Sequence, residues 1–225
     1  MHYRHHLRHA FTLIELLAVI AVIAVLFMIS IPALQKIRES SDNATCVSNL
    51  RRTGAAALLY FAERDGKLLP QWTWFVPADE FCEYLGITGS DLGSLSYHDT
   101  VLTCPAIKKK FPSLYPSMWN RGYSVNVYTH CYNPNQQQAG EPADTLFPGN
   151  LKNIPKPSAM WMFMDGAVNP LGGFVFTYHG YGTTPYASAP HAGKQNAVFF
   201  DNHVEPVETS TLMRSHSDPF WGGPQ

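Results

Sequence analysis

The sequence has little charge, no excess of basic residues and no paired-cysteine motif. Only 15% of its 225 residues are charged, and the formal net charge is -1. Nucleic-acid binding depends on a strongly basic surface, so the composition gives no case for a nucleic-acid partner. The missing C-x-x-C pair argues against a zinc ribbon or a thioredoxin-like site. H-E-x-x-H, G-x-S-x-G and P-loop motifs are also missing, so these signatures provide no catalytic candidate.

Turn-forming and aromatic residues are plentiful. The chain has 16 glycines and 17 prolines, and aromatic residues make up 13% of it. A disordered chain lacks such groups to bury, so the aromatic content favours a folded domain. Low charge with many turn formers predicts a loop-rich domain in an extracytoplasmic setting.

The N-terminal region contains a long apolar run behind a short basic leader. Residues 16–34 are 19 consecutive positions without a charge, about the length that crosses a bilayer core as a helix. Arg4 and Arg8 in the leader favour a cytoplasmic N-terminus and an exported C-terminus.

Glu15 distinguishes three interpretations of this run. A cleaved secretory signal fits poorly, because Ile31 stands where its cleavage site needs a small residue. A plain anchor fits the length but leaves Glu15 unexplained, since a carboxylate in hydrocarbon costs about 2.5–3.5 kcal/mol. The third interpretation gives Glu15 a function.

The string A-F-T-L-I-E-L-L at residues 10–17 resembles the N-terminal signature of type IV prepilins and type II secretion pseudopilins. The resemblance implies cleavage by prepilin peptidase between Ala10 and Phe11, followed by N-methylation of Phe11. It also implies that Glu15 pairs with the N-terminal amine of a neighbouring subunit and that Pro32 kinks the helix. Ala10 is a departure, because the family usually has glycine before the cut.

Helical periodicity continues beyond the apolar run. Apolar and small residues recur at helical spacing, and Gly66 is a stop signal, so the helix is predicted to reach about Asp65 with a weak point at Ser40–Asn43. The stripe consists of Val47, Leu50, Gly54, Ala57, Leu58 and Phe61. Such a stripe needs a partner surface, which we expect to be a sheet. A short helix is also expected over Asp79–Leu85.

Strand-like segments begin at Tyr123, so the chain is predicted to have an α+β fold with one long N-terminal helix packed on an antiparallel β-sheet. The resemblance to prepilins implies that this fold is pilin-like. The strand candidates are Tyr123–Tyr128, Met160–Met164, Phe174–Tyr178, Asn196–Phe200 and His203–Val207. Asp201-Asn202 separates the last two as a hairpin turn. The predicted segments are a cleaved leader (1–10), a transmembrane and assembly half-helix (11–34), an amphipathic half-helix (35–66) and an extracytoplasmic β-rich domain (67–225). The three lysines at 108–110 indicate a solvated loop.

The C-terminal region carries a second resemblance. His191 and Asp201, with nine residues between them, resemble the His-x9-Asp-Gly element of pilin-like proteins from planctomycetes and related bacteria, with Asn202 in the place of glycine. We expect His191 and Asp201 to form a structural pair rather than a catalytic one. The resemblance to pseudopilins makes Asp165 and Asp201 weak Ca²⁺ candidates, but calcium needs six to eight oxygens, so no cofactor is assigned.

The four cysteines leave their pairing open. In an exported chain Cys46, Cys82, Cys104 and Cys131 allow disulfides in three full pairings, and buried free thiols are an equal alternative.

The sequence therefore indicates a structural pilin or pseudopilin subunit and not an enzyme. Its expected partners are prepilin peptidase, other pilin subunits and the inner membrane, where it is a single-pass protein with a periplasmic C-terminus before it enters a periplasmic or surface filament. One alternative is an anchored glycan- or surface-binding module that uses aromatic loops around Trp72 or Tyr178. The other is an anchored hydrolase that uses His191 and Asp201.

Overall fold

A computed structural model describes ten stretches of the chain. These are residues 13–69, 80–87, 100–110, 112, 123–126, 149–166, 176–177, 189–208, 210 and 218–221. The chain divides into two compact units, Met1–Ser41 and Asp42–Gln225. The division falls inside the segment predicted as the amphipathic half-helix, so most of that segment belongs to the second unit.

The first element is a helix of 50 residues, α1, from Leu13 to Ala62. It continues without interruption through the predicted weak point at Ser40–Asn43. The predicted end near Asp65 is three residues too late, because residues 63–66 form a turn. Asp65 there has a φ of 54°, and the Gly66 N–H donates to the Phe61 carbonyl at 2.8 Å. This left-handed closure satisfies a carbonyl that the helix end leaves unpaired.

The second half of α1 presents one buried face to the core of the globular unit. The buried residues recur at helical spacing and are Cys46, Leu50, Thr53, Gly54, Ala56, Ala57, Tyr60 and Phe61. The predicted stripe is confirmed at four positions, while Val47 and Leu58 are only partly buried. Removing a large side chain such as Leu50 or Phe61 from water contributes about 1.5–3 kcal/mol.

In the part of the chain that the structure describes, five strands form one sheet after α1. They are β1 (Tyr123–Asn126), β2 (Trp161–Asp165), β3 (Phe176–Thr177), β4 (Lys194–Phe199) and β5 (Val204–Glu208). Their order across the sheet is β3-β1-β2-β4-β5. The pairs β1–β2, β2–β4 and β4–β5 are antiparallel, and β3 joins β1 in parallel. The α+β class and its pilin-like arrangement are confirmed, with a parallel edge strand added.

The hairpin between β4 and β5 forms at the predicted turn. Asn202 has a φ of 68°, and the Phe199 N–H donates to the His203 carbonyl at 3.0 Å. Asparagine tolerates this left-handed conformation better than most residues, so it can stand where glycine was expected.

Among the described residues, two short helices follow α1 in the sequence and precede β1. Helix α2 runs from Glu80 to Tyr84, inside the predicted helical segment. Helix α3 runs from Pro105 to Lys110 and buries Ile107, so the lysines predicted in a loop lie on a helix instead. Lys109 and Lys110 are exposed, as predicted. Lys109 Nζ lies 2.6 Å from Asp42 Oδ2 on α1. Short 3-10 helices occupy Leu151–Asn153 and Pro219–Trp221.

Candidate functional site

The first part of α1 is exposed, apolar and long enough to cross a membrane by length and composition. Every residue from Leu13 to Ser41 is exposed. Glu15 lies in the first helical turn. A helix that is apolar all round needs a lipid environment or neighbouring helices, because water would leave this surface unburied. Ala10 and Phe11, the predicted cleavage and methylation residues, lie outside the described residues.

Pro32 lies inside α1. Its ring nitrogen carries no hydrogen, so the helix loses the bond that a residue here would donate to the Met28 carbonyl. Two residues earlier, the Ser30 hydroxyl donates to the Leu26 carbonyl at 2.7 Å. The kink at Pro32 stays a prediction.

A second group of residues converges inside the globular unit. Cys46 lies on the buried face of α1, Cys104 directly precedes α3, Asp165 ends β2, and His191 lies in the turn before β4. One ligand atom from each lies within 4.8 Å of the others. We call these four residues the thiol–imidazole cluster.

The thiol–imidazole cluster is tightly packed. Cys46 Sγ and Cys104 Sγ are 2.7 Å apart. His191 Nε2 lies 2.9 Å from Asp165 Oδ2 and 3.9 Å from Cys104 Sγ. The side chain of Asp165 is fully buried, and that of His191 is 6% exposed. A single imidazole nitrogen therefore faces both the carboxylate and the sulfur atoms.

Asn196 on β4 holds the Asp165 carboxylate in place. The Asn196 backbone N–H donates to Asp165 Oδ1 at 2.8 Å, and its Nδ2 donates to Asp165 Oδ2 at 2.9 Å. The same Nδ2 also donates to Asn43 Oδ1 on α1 at 2.8 Å. Buried carboxylates are tolerated when they are hydrogen-bonded and paired, and Asp165 meets both conditions.

The contacts within the cluster shift its protonation equilibria. The hydrogen bond with Cys104 lowers the pKa of Cys46 to about 6, and His191 adds to this effect against the opposing influence of burial. Burial and the same sulfur contact raise the pKa of Cys104. Burial alone would lower the pKa of His191, but hydrogen bonds to Asp165 and Cys46 outweigh it and raise that pKa to about 9.

Tyr123 lies beside the cluster, at the start of β1. Burial raises the pKa of its hydroxyl, and negative charge at Cys104, Cys46 and Asp165 adds to the effect. Tyr123 therefore remains a neutral neighbour of a site that concentrates negative charge.

A thiol, an imidazole and a carboxylate invite comparison with a nucleophilic triad. In such a triad one imidazole nitrogen faces the nucleophile and the other is held by the carboxylate. Here His191 Nε2 faces both Asp165 and the sulfur of Cys104. Cys46 and Cys104 are both fully buried. The arrangement suits a common ligand at the centre of the cluster better than attack on a substrate.

The predicted pair of His191 and Asp201 is wrong. His191 bonds to Asp165, whereas Asp201 Oδ1 lies 2.5 Å from His203 Nδ1 in its own turn. The two residues lie at opposite ends of β4, whose six residues at about 3.3 Å each keep them apart. The proposed hydrolase dyad is therefore not formed.

Asp165 and Asp201, the weak calcium candidates, are not brought together either. Trp161 at the start of β2 pairs with Phe199, close to Asp201, while Asp165 lies at the other end of β2. Four strand steps separate these ends by about 13 Å. The oxygens of Asp165 are already engaged by Asn196 and His191.

Cys46, Cys82 and Cys104 are buried and are not joined in disulfides in the structure. Cys46 and Cys104 belong to the cluster, and their sulfur atoms are 2.7 Å apart. Among these three cysteines they are therefore the two that could form a disulfide. Cys131, like Trp72 and Tyr178 of the binding-module alternative, lies outside the described residues.

Sequence reasoning singled out all four cluster residues but did not bring them together. Cys46 and Cys104 were candidate disulfide residues, Asp165 a calcium candidate, and His191 a partner for Asp201. The available signal was weak: Cys46 precedes Leu50 by one helical turn, and Asp165 ends an apolar strand segment. No short spacing links the cluster, because Cys46 and Cys104 alone are 58 residues apart.

Comparison with known proteins identifies the N-terminal segment. Residues 6–31 match the family model described as the prokaryotic N-terminal methylation motif. No curated protein and no solved structure matches the chain significantly. The matched range includes Ala10, Phe11 and Glu15 and ends just before Pro32. This match, together with the apolar helix, supports a type IV pilin-like protein and fits membrane anchoring.

Proposed function

We propose that the chain is a structural subunit of a type IV pilus-like or type II secretion filament. The observation that carries the proposal is the methylation motif at residues 6–31, whose residues from Leu13 onward lie on a helix with an apolar, exposed first half. Prepilin peptidase would cut between Ala10 and Phe11, and the mature chain would wait in the inner membrane. Extraction into a bundle of such helices would then bury the apolar surface against neighbouring subunits.

Glu15 gives the assembly step its electrostatic basis. It is placed four residues after the proposed new N-terminus at Phe11, in the first turn of α1. In a helical bundle the amine of one subunit compensates the carboxylate of the next, which fixes the axial register between neighbours. Without that partner, burying the charged carboxylate in the same apolar environment would cost free energy.

Glu15→Gln tests this role. The variant should insert into the membrane and lose its leader as the parent chain does, but it should be missing from filaments sheared from the cells. Glu39→Gln is the matched control, because Glu39 is an exposed acid of the same helix beyond the apolar run. Immunoblots of membrane and sheared fractions would measure both. Normal incorporation of the Glu15 variant would contradict the proposed assembly role.

A further inference from the structure

Four side chains that suit one metal ion converge in the globular unit, on elements far apart in the sequence. The sulfur atoms of Cys46 and Cys104, an oxygen of Asp165 and a nitrogen of His191 lie within 4.8 Å of one another. They come from α1, the residue before α3, the end of β2 and the turn before β4. We propose that the thiol–imidazole cluster is a structural site for a zinc-type divalent cation.

The ligand types select the class of metal. Thiolates are soft ligands that favour zinc over calcium or magnesium, and imidazole and carboxylate complete a common four-ligand set. Structural zinc sites are closed, four-coordinate and roughly tetrahedral. Cys46, Cys104 and Asp165 are completely buried, which leaves little room for a substrate or an exchanging water.

The direction of the His191 ring favours a shared ion over a simple hydrogen bond. Its Nε2 lies 2.9 Å from Asp165 Oδ2 and 3.9 Å from Cys104 Sγ, so one nitrogen faces the space that the other ligands surround. A disulfide between Cys46 and Cys104 would use only the two sulfurs. It would leave His191 paired with Asp165 alone and would give no role to the approach of the same Nε2 to Cys104 Sγ.

The environment of Asp165 supports the same assignment. Metal-binding carboxylates are oriented by hydrogen bonds from a surrounding shell of residues. Asn196 supplies two such bonds, one from its backbone and one from its side chain. Its link to Asn43 ties this shell to α1.

Metal binding requires the ligand atoms to move apart, most of all the two sulfurs. Two thiolates on a tetrahedral zinc ion, each with a Zn–S bond of about 2.3 Å, lie about 3.8 Å apart. Cys46 Sγ and Cys104 Sγ are 2.7 Å apart, so they must separate by about 1 Å. Rotation about the Cα–Cβ bond of either cysteine moves its sulfur without moving the backbone. The ion would then tie α1, the start of α3 and the sheet at one point.

The proposal extends beyond the filament role and does not depend on it. Its test uses the full-length protein, purified in detergent without chelator or added metal. Elemental analysis should find one zinc per chain, and the intact mass should show no bond between Cys46 and Cys104. A Cys46–Cys104 disulfide in the protein as isolated would overturn the proposal, because bonded sulfurs cannot act as two thiolate ligands.

Cobalt provides a second readout that needs no mutation. Reduced, metal-free protein given Co²⁺ should show the visible bands of tetrahedral cobalt and a thiolate-to-cobalt charge-transfer band. Cys104→Ser should lose about half of the charge-transfer intensity, since one of two thiolates remains. Cys82→Ser, a buried cysteine outside the cluster, should leave the spectrum unchanged. Failure of the reduced parent protein to give a tetrahedral cobalt spectrum would overturn the proposal whatever the variants do.

Discussion

Gly54 on α1 lies directly against the side chain of Asn202 in the β4–β5 turn. A Cβ on residue 54 would clash with Asn202 Oδ1 and would lie 2.8 Å from Val198 Cγ2. The helix can approach the sheet this closely only because residue 54 has no side chain. The contact joins the buried face of α1 to the turn where asparagine stands in the place of glycine.

Replacing Gly54 with alanine should therefore destabilise the globular unit. Overpacking costs about 1–3 kcal/mol, and the better helix propensity of alanine offsets about 1 kcal/mol of that. Asn202→Gly removes one of the two clashing groups, so it should reduce the loss by about 0.5 kcal/mol or more. Thermal unfolding of the two single variants and the double variant would measure this coupling.

Ser48→Ala is the control for that cycle, because Ser48 is an exposed position on the same helix. Its effect should add to that of Asn202→Gly without coupling. A Gly54→Ala variant equally destabilised with and without Asn202 would contradict the described contact.

Cys46 should titrate as an acidic thiol in the reduced, metal-free protein. Its hydrogen bond with Cys104 lowers its pKa to about 6 from 9.0, and His191 contributes in the same direction. Thiolate absorbance should therefore appear with a midpoint near pH 6 and be lost in Cys46→Ser. His191→Asn should move the midpoint upward, while Cys82→Ser should not move it. A parent midpoint near the ordinary 9.0 would show that the thiol is not perturbed.

The same two pKa shifts should also determine how the stability of the reduced, metal-free protein depends on pH. The lowered pKa of Cys46 adds stability that is complete above pH 9.0 and lost as the pH falls through about 6. The raised pKa of His191 adds stability that is complete below pH 6.5 and lost as the pH rises through about 9. The two slopes oppose each other between about pH 6.5 and 9, so their combined contribution is nearly flat.

Cys46→Ser should expose the slope of His191, because Asp165 still stabilises the imidazolium. The melting temperature of this variant should fall as the pH rises from 6.5 toward 9. Cys82→Ser should keep the flat profile of the parent protein. A melting temperature that falls with pH in the parent protein but stays constant in Cys46→Ser would contradict the opposing contributions assigned to Cys46 and His191.

Asn196→Ala should destabilise the protein even though the backbone bond to Asp165 remains. The variant removes the side-chain donor to Asp165 Oδ2, and a hydrogen bond to a charged group contributes about 1.5–3 kcal/mol. Lys194→Ala on the same strand is the control. Lys194 makes an exposed ion pair with Glu208, so its removal should change stability by no more than about 1 kcal/mol. Equal effects of the two substitutions would contradict the role assigned to Asn196.

Local sequence signals anticipated much of the fold. Helical spacing located Leu50, Gly54, Ala57 and Phe61 on the buried face of α1, and Asp201-Asn202 located the hairpin turn. These features depend on neighbours within a few residues, which the sequence displays directly.

The hydrogen-bond partner of His191 could not be predicted from local sequence patterns. Its separation from Asp201 suggested a pair, but the extended strand β4 carries the two residues to opposite ends. Asp165 becomes the partner because β2 and β4 are adjacent and antiparallel, with Met164 opposite Ala197. Strand order is a property of the whole chain, so no local pattern around His191 contained it. Helix α3 is not predicted, because three consecutive lysines at 108–110 outweigh the single apolar residue Ile107 in the sequence pattern.

The mature N-terminus decides whether residues 6–31 act as a prepilin-type signal on an assembly helix. It can be read by mass spectrometry of the N-terminal peptide from the protein extracted from membranes. We predict a chain that begins at N-methylated Phe11. An intact chain from Met1, or one that begins after Ala33, would contradict the pilin-like role and indicate a simple anchor or an ordinary secretory signal.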